Sequence, residues 1–411
     1  MNSDFKECKR CLYTSDHPLG IVFDEEGICS GCRIHEEKDK LDWQYRWEKL
    51  KKIIKPYRRK NTYRYDCIVP VTGANDSYFI VHVAKQHLKL NPLLVTYNKY
   101  FNTEQGIRNL ANLRIKFNCD ILIQNINPLS VKKITRLTLR QFGSIYWPCL
   151  AGQTVFPVQT AIRYKIPLII WGAHQGLEQV GMFSHEHEVE MTRRYRKDHD
   201  LMGFEADELI SISDNLNDED IWQFRYPNDK EINSLGLRGI YLGNYVRWDP
   251  KAQHEKMIKI YDYRTSIFKR TFDYYDHVDC FNYMDLHDEL KLFKHGYSKV
   301  TDHACREIRH GRISREQAIK LVIKHKSQKA TNTELFCDWL KIKKAGLKFI
   351  ENQHRNPKFW KQEKPDQWVF KGPSTFFEKR IKHKRKTTFF FIENKSIKNT
   401  KYITIGKGYN N

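Results

Sequence analysis

The chain has 411 residues, enough for about two or three domains, and 40% of its residues are apolar, enough to bury a sizeable core. It contains no apolar run of the roughly 18 residues that a membrane span needs, and its N-terminus lacks the apolar core of a signal peptide. These absences predict a cytoplasmic protein. The net charge of +22 favours anionic partners such as nucleotides, nucleotide sugars, RNA or an acidic membrane surface, and it does not choose among them.

The first segment carries two Cys-x-x-Cys pairs, separated by 17 residues: Cys8 and Cys11, then Cys29 and Cys32. Each pair can close a turn on one tetrahedral ion, and the separation is typical of a zinc ribbon. Four thiolates leave no coordination position open for a substrate. The sequence therefore predicts a zinc ribbon over residues 1–40 with a structural Zn²⁺, followed by a basic helical linker over residues 41–62.

A predicted strand at 65–71 runs into the sequence TGANDS, which then opens a predicted helix. The loop residues are Thr72, Gly73, Ala74, Asn75, Asp76 and Ser77. The first N–H groups of a helix lack partners within the helix, and the helix dipole favours negative charge at that end. We therefore interpret the loop as an anion site, with the pyrophosphate of ATP as the expected anion.

Short apolar strands then alternate with helices. Further strands are predicted at 92–97, 120–124 and 166–171, with helices at 77–88 and 104–117. This pattern predicts a parallel sheet covered on both faces, within a domain spanning residues 63–230. Ligands bind such sheets at the carboxyl ends of the strands, where the TGANDS loop, Thr96, Asn98 and His174 are expected to meet.

From residue 231 the sequence predicts a mainly helical domain that ends near residue 330. Ser314 and Gln317 form a predicted capping box, and Thr301 is the predicted cap of the helix before it. That helix would place His303, Arg306 and Arg309 on one side. Residues 331–411 show no clear helical period and carry 19 Lys and Arg against 7 Asp and Glu, which predicts a basic extension.

A polar passage lies between residues 185 and 194. His185 and His187 stand close to two glutamates there, but no H-E-x-x-H spacing fixes metal ligands on one helix face. Magnesium bound with a nucleotide is the more plausible metal. Arg193 and Arg194 are candidate ligands for a substrate phosphate, because a guanidinium can hold one through two hydrogen bonds.

The TGANDS loop resembles the SGGxDS loop of the ATP-pyrophosphatase (PP-loop) superfamily, whose members cleave ATP between its α- and β-phosphates. Thr72 stands where that motif has Ser, and Ala74 stands where it has the second Gly. No Walker A pattern is present. The resemblance implies an adenine nucleotide alpha hydrolase-like fold that binds ATP and Mg²⁺.

A closer resemblance, over about residues 5–325, is to the N-acetyl sugar amidotransferases of surface-polysaccharide biosynthesis. The segments that carry it are CKRC at 8–11, ICSGC at 28–32, YWPC at 146–149, EMTR at 190–193, YLGNY at 241–245, KHGYSKVTDH at 294–303, REIR at 306–309 and ISREQA at 313–318.

That family implies conversion of an acetamido group on a nucleotide-activated sugar to an acetamidino group, with ATP consumed to AMP and pyrophosphate. Ammonia would come from a separate glutaminase subunit, sometimes with its barrel-shaped partner. On this interpretation the TGANDS loop cradles pyrophosphate, with Asp76 near Mg²⁺ and Asp76 and Ser77 taking part in catalysis. Further expected roles are adenosine contacts for Thr96 and Asn98, binding of the substrate phosphates for Arg193, Arg194, Arg306 and Arg309, and transfer of the ammonia proton for His174 or His303.

Two other functions stay open at this point. The first is modification of a tRNA base, since several PP-loop enzymes with zinc ribbons adenylylate or thiolate tRNA. Thiolation normally needs paired cysteines near the ATP site, and the cysteines outside the ribbon are isolated in sequence: Cys67, Cys119, Cys149, Cys280, Cys305 and Cys337. A nucleic-acid partner is therefore the less favoured expectation. The second is a degenerate PP-loop protein that serves as a zinc-ribbon binding module without catalysis.

Overall fold

The computed structural model describes residues 5–58, 64–99, 101–274 and 281–373, and it leaves the side chain of Asn75 undescribed. Cys280 and the part of the predicted basic extension beyond residue 373 lie outside the described residues. No helix in these ranges combines the length and the apolar character that crossing a lipid bilayer would require.

The centre of the molecule is a five-stranded parallel sheet with strand order β3-β2-β1-β4-β5. Its strands are β1 (Cys67–Pro70), β2 (Pro92–Tyr97), β3 (Ile121–Gln124), β4 (Leu168–Trp171) and β5 (Arg238–Tyr241). Ile68 on β1 lies in register with Leu93 on β2 and with Ile169 on β4. The chain thus adds β2 and β3 on one side of β1 and then crosses over to add β4 and β5 on the other side of β1. The α/β fold with a parallel sheet predicted from the sequence is confirmed.

Helices form most of the remaining described chain. They are α1 (Ser30–Glu37), α2 (Trp43–Ile54), α3 (Asn75–His82), α4 (Glu104–Phe117), α5 (Pro128–Phe142), α6 (Trp147–Tyr164), α7 (Gln175–Val180), α8 (Arg193–Tyr195), α9 (Ala206–Ser211), α10 (Asp218–Ile221), α11 (Asp229–Leu235), α12 (Pro250–Tyr261), α13 (Met284–His295), α14 (Lys299–Arg309), α15 (Arg315–Lys326), α16 (Thr333–Leu340) and α17 (Lys344–Gln353).

The two faces of the sheet are buried in separate apolar cores, because successive side chains of a strand point to opposite faces. Leu94 of β2 belongs to the core formed with α3, α4 and α12. Its neighbour Val95 belongs to the core formed with α6. Both residues are buried, which explains why these strands appear in the sequence as continuous apolar runs rather than alternating ones.

The fifth strand corrects the predicted domain plan. Residues 231–330 were expected to be mainly helical, but β5 pairs in parallel with β4, so the sheet continues past residue 230. The carboxylate of Glu190, which is buried, accepts hydrogen bonds at 2.6–3.1 Å from the Arg238 guanidinium at the start of β5. Arg238 and Gly239 make up half of this four-residue strand, so its sequence offers no apolar run or period that would identify it.

The N-terminal segment folds as a small ribbon against the C-terminal helices. Isolated antiparallel bridges join Glu7 with Thr14 and Phe23 with Cys29. The turn between the Cys pairs closes where the amide of Gly27 (φ +78°) donates to the carbonyl oxygen of Asp24 at 3.1 Å. The ribbon's apolar side chains share one core with α14 and α15. The ribbon is therefore an integral part of the fold.

Helices α13–α17 and a hairpin form the C-terminal region. The hairpin pairs β6 (Trp360–Lys364) with β7 (Gln367–Phe370). The basic extension expected from residue 331 is therefore folded as far as the description reaches. Phe336, Leu340 and Leu347 of α16 and α17 are buried in the core that also holds α5 and α13. Their apolar faces are only partial, so the sequence alone gave no clear helical period there.

Capping explains the helix boundaries in this region. Ser314 Oγ accepts the Gln317 amide at 3.2 Å and Gln317 Oε1 accepts the Ser314 amide at 2.8 Å, so the predicted capping box is confirmed. The predicted cap at Thr301 is wrong. Helix α14 begins one turn earlier after Ser298, where the carboxylate of Asp288 accepts the amide of Lys299 at 2.6 Å.

A half-buried carboxyl in this region, that of Glu351, predicts a pH-dependent stability. Burial, followed by repulsion from Glu289, raises the pKa of Glu351 to about 7 from 4.5. Because the folded state favours the protonated carboxyl, the group stabilises the fold fully below pH 4.5. This contribution is lost as the pH rises through about 7. Between pH 5 and 8 the free energy of unfolding of the wild type should fall by up to about 3 kcal/mol from this group. Glu351→Gln should not show this fall, and urea unfolding at both pH values would measure it. An unchanged pH dependence would contradict this assignment.

Candidate active site

Two hydroxyl groups of the loop after β1 accept hydrogen bonds from amides of the same loop. Ser77 Oγ accepts a hydrogen bond from the Thr72 amide at 2.8 Å, and Thr72 Oγ1 accepts one from the Ala74 amide at 3.1 Å. Ala74 has an extended conformation (φ −85°, ψ 172°) and no side-chain cap at the N-terminus of α3. The first turn of α3 therefore presents its backbone N–H groups at the carboxyl edge of the sheet.

Gly73 is the point where this loop touches the next helix. A Cβ built on Gly73 would lie 2.2 Å from the carbonyl oxygen of Gly106 in α4. No side chain fits in that space without moving one of the two backbones. The loop and α4 are thus in direct backbone contact. A glycine is needed here because of the close approach, and not because of an unusual dihedral angle.

A cavity of about 490 Å³ lies beside the loop, between β2, β3 and α4. It contains four of the residues predicted to contact ATP, namely Thr72, Gly73, Thr96 and Asn98. The other lining residues are Tyr97, Asn102, Gly106, Ile107, Leu110, Ala111, Arg114, Ile121 and Ile123. An apolar wall with a few polar groups at one end suits a nucleoside base next to its phosphates.

Sequence reasoning missed the helix α4 side of this cavity. Asn102 Nδ2 donates to Asn98 Oδ1 at 2.5 Å, which orients an amide predicted to contact adenosine. Ile107 and Ile123 are 55% and 48% exposed, which is high for isoleucine inside an α/β domain. An apolar residue on the outer face of a predicted helix was the available signal, although exposed apolar residues are common on protein surfaces.

A second cavity, of about 480 Å³, opens on the other side of the loop. It brings Asp76 together with His303, Arg306 and Arg309, which follow it in sequence by more than 200 residues. Its other lining residues are Tyr13, Ala173, Gln175, Glu178, Gln179, Trp248, Pro250, Met284, His287, Asp288, Lys291, Lys299 and Asp302. The ribbon, the sheet domain and the C-terminal helices therefore all contribute to its wall.

Charged groups dominate this second cavity. Lys291 Nζ lies 2.5 Å from Asp302 Oδ2, and the hydroxyl of Tyr13 donates to Asp302 Oδ1 at 2.7 Å. Arg306 forms an ion pair with Asp273, which itself lies 3.5 Å from Nδ1 of His303. The cations and carboxylates hold one another in place. Such a preorganised polar wall suits a charged and hydroxyl-rich ligand.

Asp76 occupies the boundary between the loop and this cavity. Its side chain is 47% exposed, and Oδ1 lies 3.6 Å from Nε2 of the buried His254. A half-exposed carboxylate beside a helix N-terminus provides the oxygen ligand that Mg²⁺ prefers. Ser77, in contrast, is buried and supports the Thr72 amide.

His174 lies apart from both cavities. Its Nδ1 accepts the Leu177 amide at 3.3 Å and so caps α7. Burial lowers the pKa of His174 to about 3. This imidazole is neutral at physiological pH and packs against Tyr195 and Tyr241. The structure thus gives it a packing role, which disagrees with the expected transfer of the ammonia proton.

Arg193 and Arg194 also lie outside the residues that line the two cavities. The Arg193 guanidinium donates to both oxygens of Glu205 at 2.7 and 2.6 Å and approaches Asp229 at 3.2 Å. Arg194 lies 3.5 Å from Asp198 on the surface. Because neither guanidinium lines one of the two cavities, the structure does not support the predicted binding of a substrate phosphate by this pair.

The four ribbon cysteines form a compact cluster. The sulfur atoms of Cys8, Cys11, Cys29 and Cys32 all lie within 4.8 Å of one another, and all four side chains are buried. The amides of Cys11 and Cys29 donate to Cys8 Sγ at 3.4 and 3.3 Å. Four converging sulfurs with backbone donors fit a tetrahedral structural Zn²⁺. In the described part of the chain, no other group of His, Cys, Asp or Glu gathers like this, including the segment around His185.

Cys305 is close to this cluster and is not an isolated thiol. Its sulfur accepts the amide of Leu12, next to Cys11, at 3.3 Å. Because 293 residues separate the two residues in sequence, the sequence alone did not indicate this contact. Arg309 likewise has partners in the ribbon, the sulfur atoms of Cys11 and Cys29.

Comparisons with known proteins find similarities over parts of the chain. Residues 266–373 match the family model described as "LPS biosynthesis protein WbpG-like, C-terminal domain". An uncharacterized protein of Methanocaldococcus jannaschii, MJ1599, is 27% identical over 122 residues, which are 29% of this chain and 42% of that protein. The chain therefore matches about two fifths of the length of that curated relative.

Two solved structures are similar in part. An NH3-dependent NAD synthetase from Campylobacter jejuni aligns with 35% of this chain and 62% of its own length, at 15% identity and a TM-score of 0.28. The NMN synthetase from Francisella tularensis aligns with 56% and 98%, at 11% identity and a TM-score of 0.28.

The strand order and the cysteine cluster define a parallel α/β protein with an N-terminal four-cysteine ribbon. Over residues 266–373 the chain is similar to a domain of LPS biosynthesis proteins, which agrees with the resemblance to surface-polysaccharide enzymes noted in the sequence. That match extends beyond residue 325, where the sequence resemblance ended.

Proposed function

We propose that the chain is an ATP-dependent amidotransferase that converts the acetamido group of a nucleotide-activated sugar into an acetamidino group. The product would enter O-antigen, LPS or another surface glycan, and the reaction would take place in the cytoplasm. The observation that carries the proposal is the pair of cavities on the two sides of one loop. Thr72 and Gly73 line the first cavity, and Asp76 lines the second. One substrate in each cavity would meet at the N-terminus of α3.

The chemistry needs such a meeting point. The oxygen of an amide is a poor leaving group, so ammonia does not displace it directly. If the acetamido oxygen attacks the α-phosphorus of ATP, the bond to the β-phosphate breaks and pyrophosphate leaves. Ammonia then adds to the activated carbon, loses a proton, and AMP departs with the original oxygen. Nitrogen has replaced oxygen on the sugar, and ATP has become AMP and pyrophosphate.

The residues of this chain would divide that work between the cavities. In the first, Thr96 and Asn98 would bind adenosine while the loop amides hold the phosphates. Asp76 would hold Mg²⁺, which offsets phosphate charge when bound. In the second, Arg306 would orient the sugar phosphates, and His303 would accept the ammonia proton. We propose His303 instead of His174 because it lines the cavity and His174 is a buried cap.

Ammonia is proposed to come from a separate glutaminase subunit, with or without the barrel-shaped partner that sometimes accompanies it in the resembling family. Free ammonium replaces that partner in an assay, so the chain can be tested alone. The Cys cluster would hold a Zn²⁺ that takes no part in the chemical steps, since four sulfur ligands fill its coordination sphere.

The direct test is pyrophosphate release from ATP by the full chain with ammonium and Mg²⁺. Parallel reactions would contain acetamido nucleotide sugars or bulk tRNA. We expect release with a sugar, and mass spectrometry of the product should show NH in place of O. Release only with tRNA would replace this function by tRNA modification. Absence of both release and ATP binding would favour a non-catalytic binding module.

Asp76→Asn is expected to lower the rate of pyrophosphate release on the order of a hundredfold, because it weakens a metal site worth several kcal/mol. ATP binding should weaken less than the rate, since the cavity between β2 and α4 stays intact. Asp214→Asn, at an exposed carboxylate outside both cavities, is the matched control. Equal rates for the two variants would remove Asp76 from the mechanism.

A further inference from the structure

Helix α14 faces two sites at once. Cys305 and Arg309, one helical turn apart, point to the ribbon cysteines. His303 and Arg306, on the neighbouring face, line the second cavity. The same eleven-residue helix therefore contributes to the surroundings of the cysteine cluster and to the wall of the second cavity.

Arg309 connects the cysteine cluster directly to the neighbouring helix α7. Its Nη2 lies 3.7 Å from Cys29 Sγ and 4.0 Å from Cys11 Sγ. Its Nη1 donates to the carbonyl oxygens of Glu178 and Gln179 in α7 at 3.0 and 2.8 Å. Four thiolates around one Zn²⁺ carry a net charge of −2 by formal count, so a buried guanidinium beside them is electrostatically favourable.

The ribbon leaves space for this guanidinium and no more. A Cβ built on Gly31, between Cys29 and Cys32, would lie 2.3 Å from Arg309 Nη2 and 2.5 Å from the Gln179 carbonyl oxygen. The ribbon, α7 and α14 therefore meet at one side chain. The planar fork of arginine can serve the sulfurs and the carbonyl groups together, which the single ammonium of lysine cannot do.

We infer that Arg309 is a positioning residue that couples the metal centre of the ribbon to the second cavity. Zinc gathers the four thiolates, their charge fixes Arg309, and Arg309 fixes α7 and the cavity face of α14. Arg309, which was expected from the sequence to bind a substrate phosphate, is in this way assigned to the surroundings of the metal site. The inference requires the zinc and the cavity, and it does not depend on which reaction the cavity performs.

The first test measures zinc release to a chelator from the full chain, followed with a chromogenic zinc indicator. Arg309→Met is expected to release zinc on the order of ten- to a hundredfold faster, the usual effect of losing a partner of metal ligands. Arg309→Lys should lie between this variant and the wild type. Arg312→Met is the matched control, because Arg312 pairs with Asp249 and Glu307. Release at the wild-type rate from Arg309→Met would overturn the inference.

The second test measures amide hydrogen exchange before and after zinc removal. In the wild type, exchange should accelerate in Gln175–Val180 and Lys299–Arg309 and stay unchanged in Glu104–Phe117, which borders the other cavity. In Arg309→Met, α7 and α14 should exchange fast with or without zinc. Unchanged exchange in the wild type, or acceleration throughout the chain, would overturn the coupling without any variant. A full chain that takes up no zinc would overturn it as well.

Discussion

Replacing Gly73 by alanine should abolish pyrophosphate release from ATP and lower the free energy of unfolding by about 1–3 kcal/mol, the usual cost of overpacking. The new methyl group would lie 2.2 Å from the carbonyl oxygen of Gly106. Relief of this clash requires the loop to move away from α4, and the loop amides then no longer point at the phosphates. Pyrophosphate release, ATP binding by calorimetry and urea unfolding would measure the three consequences.

The control for this variant is Gly346→Ala. Gly346 lies inside α17, and a Cβ there meets no heavy atom within 4 Å. Because alanine is the better helix former by about 1 kcal/mol, this control should unfold at slightly higher urea and keep full activity. Wild-type ATP binding by Gly73→Ala would show that the contact between the loop and α4 does not shape the nucleotide site.

Cys29→Ser is expected to remove zinc from the ribbon and to destabilise the chain by several kcal/mol, a large part of the roughly 10 kcal/mol that a structural zinc contributes. Cys29 is buried at the centre of the cluster, with its sulfur 3.5 Å from that of Cys11. Serine cannot replace the thiolate as a zinc ligand. Zinc content by atomic spectroscopy and thermal unfolding would be measured on the purified full chain.

Cys119→Ser provides the comparison for that loss. Cys119 lies next to β3 and is half-buried, with its thiol donating to the Phe117 carbonyl oxygen at 3.5 Å. A hydroxyl can make the same bond, so zinc content and melting temperature should stay close to wild type. If Cys29→Ser keeps one equivalent of zinc, the four-cysteine assignment is wrong.

The sequence contained enough information for the strands that border the ATP site. Strand β2 and helix α4 begin and end where predicted, because Pro92 starts an apolar run and Thr103 caps the helix through the Gly106 amide. These signals are local. Strand β5 has no such signal, and its place in the sheet depends on pairing with β4 and on the ion pair between Arg238 and Glu190.

Site residues divide in the same way. The loop residues and Asn98 could be placed at one sheet edge because strand ends are readable from the sequence. His174 and Arg309 could not be assigned, since a histidine that caps a helix and an arginine that faces a metal centre look like functional residues until their burial is known. Burial depends on contacts with distant parts of the chain, such as that between Arg309 and Cys29.

The shared core of the ribbon and the C-terminal helices also determines when that core can form during synthesis. Leu12 and Phe23 pack with Val300, Ala304 and Val322, so the ribbon is synthesised almost 300 residues before the helices that cover its apolar side. At a translation rate of 5–20 residues per second this delay is on the order of tens of seconds. We expect early zinc binding to hold the ribbon in shape through that interval, because a nascent chain with exposed apolar surface otherwise aggregates or binds chaperones. Zinc supply during translation should therefore influence the yield of folded protein more than zinc added after synthesis.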